Sequence, residues 1–225
     1  MTFCKDVAYA VPANVSNAGN LTQLGQVYDD YTSSLYTNFS KSLQQIPCNT
    51  SSSARYSLTR NCDDCDNAYK QWLCAVSIPR CEDWSNNASY LQPRAINQSF
   101  INTTYGAQFA NDPTLSENNK GALYMSSSRN AMIDSVIAPG PYKEVLPCQD
   151  LCYGLVQSCP AALQFSCPHD GYGLNYTYGS TAGFGPGQAT CNFPGMVISA
   201  GASVDGTIRF AVSVAVIAMA MLVVV

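Results

Sequence analysis

Residues 141–159 read PYKEVLPCQDLCYGLVQSC and carry Cys148, Cys152 and Cys159 in the spacing C-x3-C-x6-C. The stretch otherwise has the pattern of an amphipathic helix. With Pro147 in the first turn, Cys148, Cys152, Leu155, Val156 and Cys159 fall at i, i+4, i+7, i+8 and i+11, which is one helical face. All three thiols are expected to point into a core. Whether they hold a metal or close disulfides decides the fold.

The compartment bears on that choice. Eleven cysteines in 225 residues accompany eight N-x-[ST] acceptors, at Asn14, Asn20, Asn38, Asn49, Asn87, Asn97, Asn102 and Asn175. A single acceptor arises readily by chance, but eight beside that many cysteines read as a secreted, glycosylated ectodomain. Zinc is the competing account, because Cys62 and Cys65 form a C-x2-C half-site. A ribbon needs a second close pair or a histidine pair, and the chain has one histidine, His169. Disulfides are therefore favoured, and the face at Cys148, Cys152 and Cys159 becomes a staple tied to three other parts of the chain.

Charged residues make up 12% of the chain and the net charge is −4, which leaves no basic surface for nucleic acid. The opening MTFCKDVAYAVPANV has no apolar run of signal-peptide length, so the chain is expected to be a fragment or to begin too late. The last sixteen residues, Phe210 to Val225, carry no charge. A membrane span needs about 20 apolar residues and usually basic flanks. Small residues at Ser199, Ala200, Gly201, Ala202 and Ser203, a polar spacer to Arg209 and the apolar tail instead match a GPI-attachment signal, with Ser199 as attachment site and Gly201 as the alternative.

Along the chain, Leu24, Tyr28, Tyr31, Leu35, Phe39, Leu43 and Ile46 step by three or four, predicting a helix from Asn20 to Ile46 that ends at Pro47. Asn20 and Gln23 are placed as N-cap and N3 partner. A second helix is expected from about Asp63 to Val76, with Asp63, Asp64 and Asp66 favouring its dipole rather than binding calcium. The sixty-six residues between Cys81 and Cys148 contain no cysteine and three acceptors, and read as a long glycosylated surface insertion. The Gly-rich run from His169 to Cys191 reads as loop, and 192–209 as a stalk. No nucleophile elbow, phosphate loop or paired histidine is present, and His169 beside Asp170 is read as a loop residue. The chain is not read as an enzyme, and no cofactor or metal is expected.

The order of cysteines, CKDVAY at Cys4, then Cys65-x8-Cys74-x6-Cys81, Cys148-x3-Cys152-x6-Cys159, Cys167 and Cys191, resembles the Frizzled-type cysteine-rich domain over most of the chain. The wording RNCDDCDNAYKQWLCAVSIPRCEDW and PGPYKEVLPCQDLCYGLVQSCP is similar to the fungal stretch-activated calcium-channel subunit family. The expected fold is mainly α and disulfide-rich: a Frizzled-type ectodomain over 1–191, interrupted by the insertion within 81–148 and followed by the 210–225 anchor signal.

The resemblance implies the pairs Cys4–Cys74, Cys65–Cys159, Cys148–Cys191 and Cys152–Cys167. Cys48 and Cys62 are extra to that set and are expected to pair with each other. Cys81 is left unpaired, since its family partner lies upstream of Cys4. The family further implies an accessory, non-pore subunit on the outer face of the plasma membrane, partnering a pore-forming calcium channel subunit of the voltage-gated type and promoting calcium influx. Two other readings stand beside it. One is a Frizzled-type lipid or acyl-binding module, whose groove the sequence does not locate; the other is a GPI-anchored cell-wall protein.

Overall fold

Helix α1 (Leu21–Leu43) begins where the sequence places its cap. The Asn20 side-chain oxygen accepts from the Gln23 N–H at 3.0 Å, and the helix unwinds through Gln44 before Pro47. The computed structural model describes residues 1–14, 20–47, 55–100, 123–180 and 189–195. The inward face of α1 differs from the regular apolar stripe. Leu24, Tyr28, Phe39 and Leu43 are buried, but so are Asp29 and Thr32, whereas Tyr31 and Leu35 are only half-buried. Polar residues go inward because backbone groups receive them. Thr32 Oγ1 donates to the Tyr28 carbonyl at 2.8 Å, and the Asp29 carboxylate accepts from the N–H groups of Thr2, Phe3 and Cys4.

Helix α2 (Cys62–Ser77) starts one residue earlier than the acidic turn suggests, because Asn61 caps it. The Asp64 N–H donates to Asn61 Oδ1 and the Asn61 N–H to Asp64 Oδ2, both at 2.9 Å, a reciprocal capping box. Asp64 thus serves the helix start. Asp66 accepts from the Tyr36 hydroxyl of α1 at 2.6 Å, a bond between the two helices.

The stretch from Cys81 to Cys148, expected to be surface insertion, instead supplies much of the interior. Strands β1 (Arg80–Glu82), β2 (Leu91–Arg94) and β3 (Tyr142–Val145) form an antiparallel sheet in the order β1-β3-β2. Glu144 of β3 faces Cys81 on one side and Gln92 on the other. Both edges are covered: the Cys81 N–H donates to the Ala10 carbonyl at 2.9 Å, and beyond Pro93 of β2 the Ile96 N–H donates to the Met125 carbonyl at 3.1 Å. Met125 lies in the short helix α3 (Leu123–Ser126), and a π-helical turn over Ile133–Ile137 buries both of its isoleucines. The fold is therefore helical with a small central sheet whose middle strand is buried, and within this run 101–122 lie outside the described residues.

Helix α4 (Gln149–Ser158) packs on α2. Cys148 and Cys159 sit at its two caps rather than in its turns, and Val156, placed on the inner face by the sequence pattern, is 39% exposed. The true inner face is Leu151, Cys152, Leu155 and Ser158. Cys148 is extended at φ −65°, ψ 137° and so lies outside the helical count.

The Gly-rich run is more than a loop: it contains the one-turn helix α5 (Leu174–Thr177) and then runs parallel to the entry of α4. Gly179 donates to the Pro147 carbonyl at 2.8 Å and accepts from Gln149 N–H at 3.0 Å. A Cβ at Gly179 would lie 2.8 Å from that of Cys191, so glycine is required by the close approach. Asn192, expected to open a stalk, is 1% exposed and bonded to Leu146 and Cys148, and the Gly195 N–H donates to the Asp6 carbonyl. The chain stays docked through Gly195.

Candidate functional site

A groove of about 560 Å³ lies between helices α1 and α2. One wall is the α1 stripe of Tyr31, Leu35, Asn38 and Phe39; the other includes Tyr69 and Trp72 of α2. Phe165, just after a 3-10 turn over Ala161–Leu163, closes the end near Tyr69, their ring centroids 5.7 Å apart. Contacts on both sides hold the walls. Phe39 and Tyr69 stack with centroids 3.6 Å apart at 10°, and Trp72 Nε1 donates to the Tyr178 hydroxyl at 2.8 Å. Burial pushes the hydroxyls of Tyr69 and Tyr178 up from the usual phenol range, so both stay protonated as hydrogen-bonding groups.

The far end of the groove is polar. Arg129 and Asn130 line it, and both are held from behind. Arg129 Nε donates to Glu144 Oε1 at 2.6 Å and its Nη2 to the Thr177 carbonyl at 2.9 Å. Asn130 Nδ2 donates to the Ser77 carbonyl at 3.1 Å. Glu144 is fully buried and also accepts from Arg94 Nε at 2.5 Å, while the Arg94 Nη atoms donate to the carbonyls of Tyr124 and Tyr176. Burial alone would raise the Glu144 carboxyl, but the two guanidinium groups outweigh it and hold it below the usual carboxylate range. The groove thus combines an aromatic wall with a charge-anchored polar end, which suits an amphipathic ligand.

Disulfides fix the elements around it. Cys4 is bonded to Cys74, Cys65 to Cys159, Cys148 to Cys191 and Cys152 to Cys167. The first joins the N-terminal segment to α2, and the second joins α2 to the end of α4. Cys62 is disulfide-bonded, and Cys48 lies outside the described residues. Cys81 is the free thiol among the described residues; burial pushes its pKa up to about 12.

The other sequence-marked residues do not converge on the groove, with one exception. Asn20, Asn38, Asn87, Asn97 and Asn175 are exposed, Asn14 is half-buried with its Nδ2 donating to the Ile137 carbonyl at 2.5 Å, and Asn49 and Asn102 lie outside the described residues. Among the described residues, Asn38 alone of these lines the groove. His169 and Asp170 are exposed. Ser199 and Gly201 fall outside the described residues, as does the 210–225 tail. Among the described residues there is no group of three or more His, Cys, Asp or Glu placed to hold a metal, and no helix long and apolar enough to cross a membrane. The groove itself went unread in the sequence. Its signal was Tyr69 and Trp72 at i, i+3 on α2, facing Tyr31, Leu35 and Phe39 at i, i+4, i+8 on α1.

A family model described as Mid1, stretch-activated Ca2+-permeable channel component, matches residues 1–197. The chain is 44% identical over 196 residues to the stretch-activated cation channel yam8 of Schizosaccharomyces pombe, covering 87% of this chain and 34% of that protein. It is 41% identical over 171 residues to the stretch-activated cation channel MID1 of Saccharomyces cerevisiae, covering 76% of this chain and 26% of that protein. The matched part is thus about a third or less of each relative's length. No solved structure matches. With its match running through all of the described residues, the chain belongs to the Mid1 family of stretch-activated Ca2+-permeable channel components.

Proposed function

We propose that this chain is an accessory, non-pore part of a stretch-activated, calcium-permeable channel, lying on the outer face of the plasma membrane and promoting calcium influx. The observation that carries the reading is the joining of a channel-component family match to a core whose long-range links are disulfides. Disulfides of this kind persist in an oxidising compartment, outside the cytosol. An ion path through a bilayer needs spanning helices or a closed barrel, so the reading assigns the pore to a separate subunit of the voltage-gated type. The accessory domain then acts by binding one state of that pore more tightly than another. A GPI anchor at Ser199, or at Gly201, tethers the domain, and a Frizzled-type fold is its architecture.

Affinity purification from membranes tests this directly. A large multi-span channel is expected to co-purify, and calcium uptake is expected to fall when the chain is deleted. Uptake unchanged, with no such partner recovered, overturns the reading. For the anchor, a phosphatidylinositol-specific phospholipase is expected to release the chain; retention with 210–225 still attached overturns it. One observation favours a second reading, a lipid-binding module: the apolar wall of the α1–α2 groove. Bound lipid in native mass spectra of the purified chain distinguishes it.

A further inference from the structure

We propose that the α1–α2 groove is the docking site of this chain's own N-linked glycan, carried on Asn38. Asn38-Phe39-Ser40 is an acceptor sequence, and Asn38 is both exposed and part of the groove wall. A sugar attached there starts at the groove wall rather than reaching it from a distant site. On α1 it stands between Leu35 and Ser42, at i−3 and i+4, both of which also line the cavity. The other exposed acceptors, Asn20, Asn87, Asn97 and Asn175, line no part of it.

The chemistry of the groove fits an amino sugar. A pyranose ring has an apolar C–H face, which packs on flat aromatic rings, and a rim of hydroxyl and amide groups that need hydrogen-bond partners. Tyr69, Trp72 and Phe165 provide the rings, and Arg129, Asn130 and Ser77 the polar end. The volume of about 560 Å³ lies within the roughly 300–1,000 Å³ range of sites that enclose compact ligands, a range that suits the two linked amino sugars of a glycan core. Attachment itself is ordinary: Asn38 Nδ2 loses one hydrogen and bonds to sugar C1 of a lipid-diphosphate-linked oligosaccharide, and the lipid diphosphate leaves. Docking gives the half-buried aromatic wall a covalently supplied cover.

The proposal rests on the secretory route in the reading above but not on the channel role. The full chain is secreted from a fungal host that leaves high-mannose glycans, and glycopeptides are mapped. Asn38 is expected to be occupied, and its glycan to be trimmed by an endoglycosidase about tenfold more slowly than that of Asn97 in the native protein, the protection given by a docked population about ten times the free one. The rates converge after denaturation. Ser40→Ala and Asn38→Gln are each expected to raise binding of an apolar fluorescent dye, while Asn97→Gln leaves it unchanged. Equal native trimming at the two sites, unchanged dye binding, an unoccupied Asn38, or a lipid or second copy in the groove of the glycosylated protein overturns the proposal. Occupied acceptors elsewhere with Asn38 bare sink the docking alone; no acceptor occupied sinks the secretory route as well.

Discussion

Three successive backbone N–H groups, those of Thr2, Phe3 and Cys4, donate to the single carboxylate of Asp29, a buried acid on α1. This is the bond set that lays the N-terminal segment on the helix and delivers Cys4 to Cys74. Burial pushes the Asp29 carboxyl upward, but the backbone donors outweigh it and hold the pKa below its ordinary value. The sign follows: a depressed folded pKa contributes stability above the ordinary carboxylate value, and that stability is lost as pH falls through the folded one. Asp29→Asn is therefore expected to cost about 1.5–3 kcal/mol at neutral pH, the worth of hydrogen bonds to a charged group, with the two unfolding curves converging below about pH 4. Denaturant midpoints measured between pH 7 and pH 3 check this; a gap that does not narrow refutes it. Cys81 follows the opposite logic. With its thiol pushed up to about 12 by burial, little thiolate exists near neutrality. A maleimide is expected to label Cys81 slowly in the native domain and rapidly in denaturant, so any disulfide-linked dimers arise from chains not yet folded. Rapid labelling of the native thiol would contradict this.

At the scale of elements, β3 is set apart because a strand reading YKEV is buried along its whole length. Lys143 is sheltered by donation to the Asn86 carbonyl at 2.9 Å and to Asn87 Oδ1 at 3.0 Å, and Glu144 by Arg94 and Arg129. Through the carbonyls of Tyr176 and Thr177, the same two arginines tie the sheet to α5. Removing one member of a buried ionic group leaves the others uncompensated. Glu144→Gln is accordingly expected to destabilise the domain by about 3–5 kcal/mol and to reduce secretion, as measured by thermal unfolding and secreted yield. Loss comparable to that of an exposed-site control such as Asp170→Asn would sink the idea. The same residues explain what the sequence could disclose. Helix α1 was legible because its cap and 3.6-residue period are local signals, and α2 because its acidic first turn is one. The sheet was not: strands of three and four residues offer no period to detect, and Lys143 and Glu144 read as surface until Arg94, fifty positions from Glu144, is brought beside them.

For the whole molecule, the cysteines carried the readable information, and the groove did not, because its lining comes from α1, α2, the Arg129–Asn130 segment and Phe165, which only the fold brings together. The staples also differ in what they close. Cys65–Cys159 spans 94 positions and lies inside the apolar cluster of Phe39, Leu43 and Leu155, whereas Cys152–Cys167 spans 15 and pins a nearby loop. In the chain-entropy account a longer closed loop removes more freedom from the unfolded state, so the first is worth about 1.5 kcal/mol more than the second. Replacing Cys65 and Cys159 together with alanine is expected to lower stability by about 4–5 kcal/mol, and replacing Cys152 and Cys167 together by about 3 kcal/mol. The first change also removes the covalent link between α4 and α2, which carries the groove residues Tyr69 and Trp72, so it should loosen the aromatic wall while the second leaves Phe165 as the main casualty. Denaturant unfolding of both double variants, read with tryptophan fluorescence for Trp72, measures the ranking. Equal losses, or a larger loss from the short loop, would mean that local packing at Cys152 rather than loop length governs the stability of this domain.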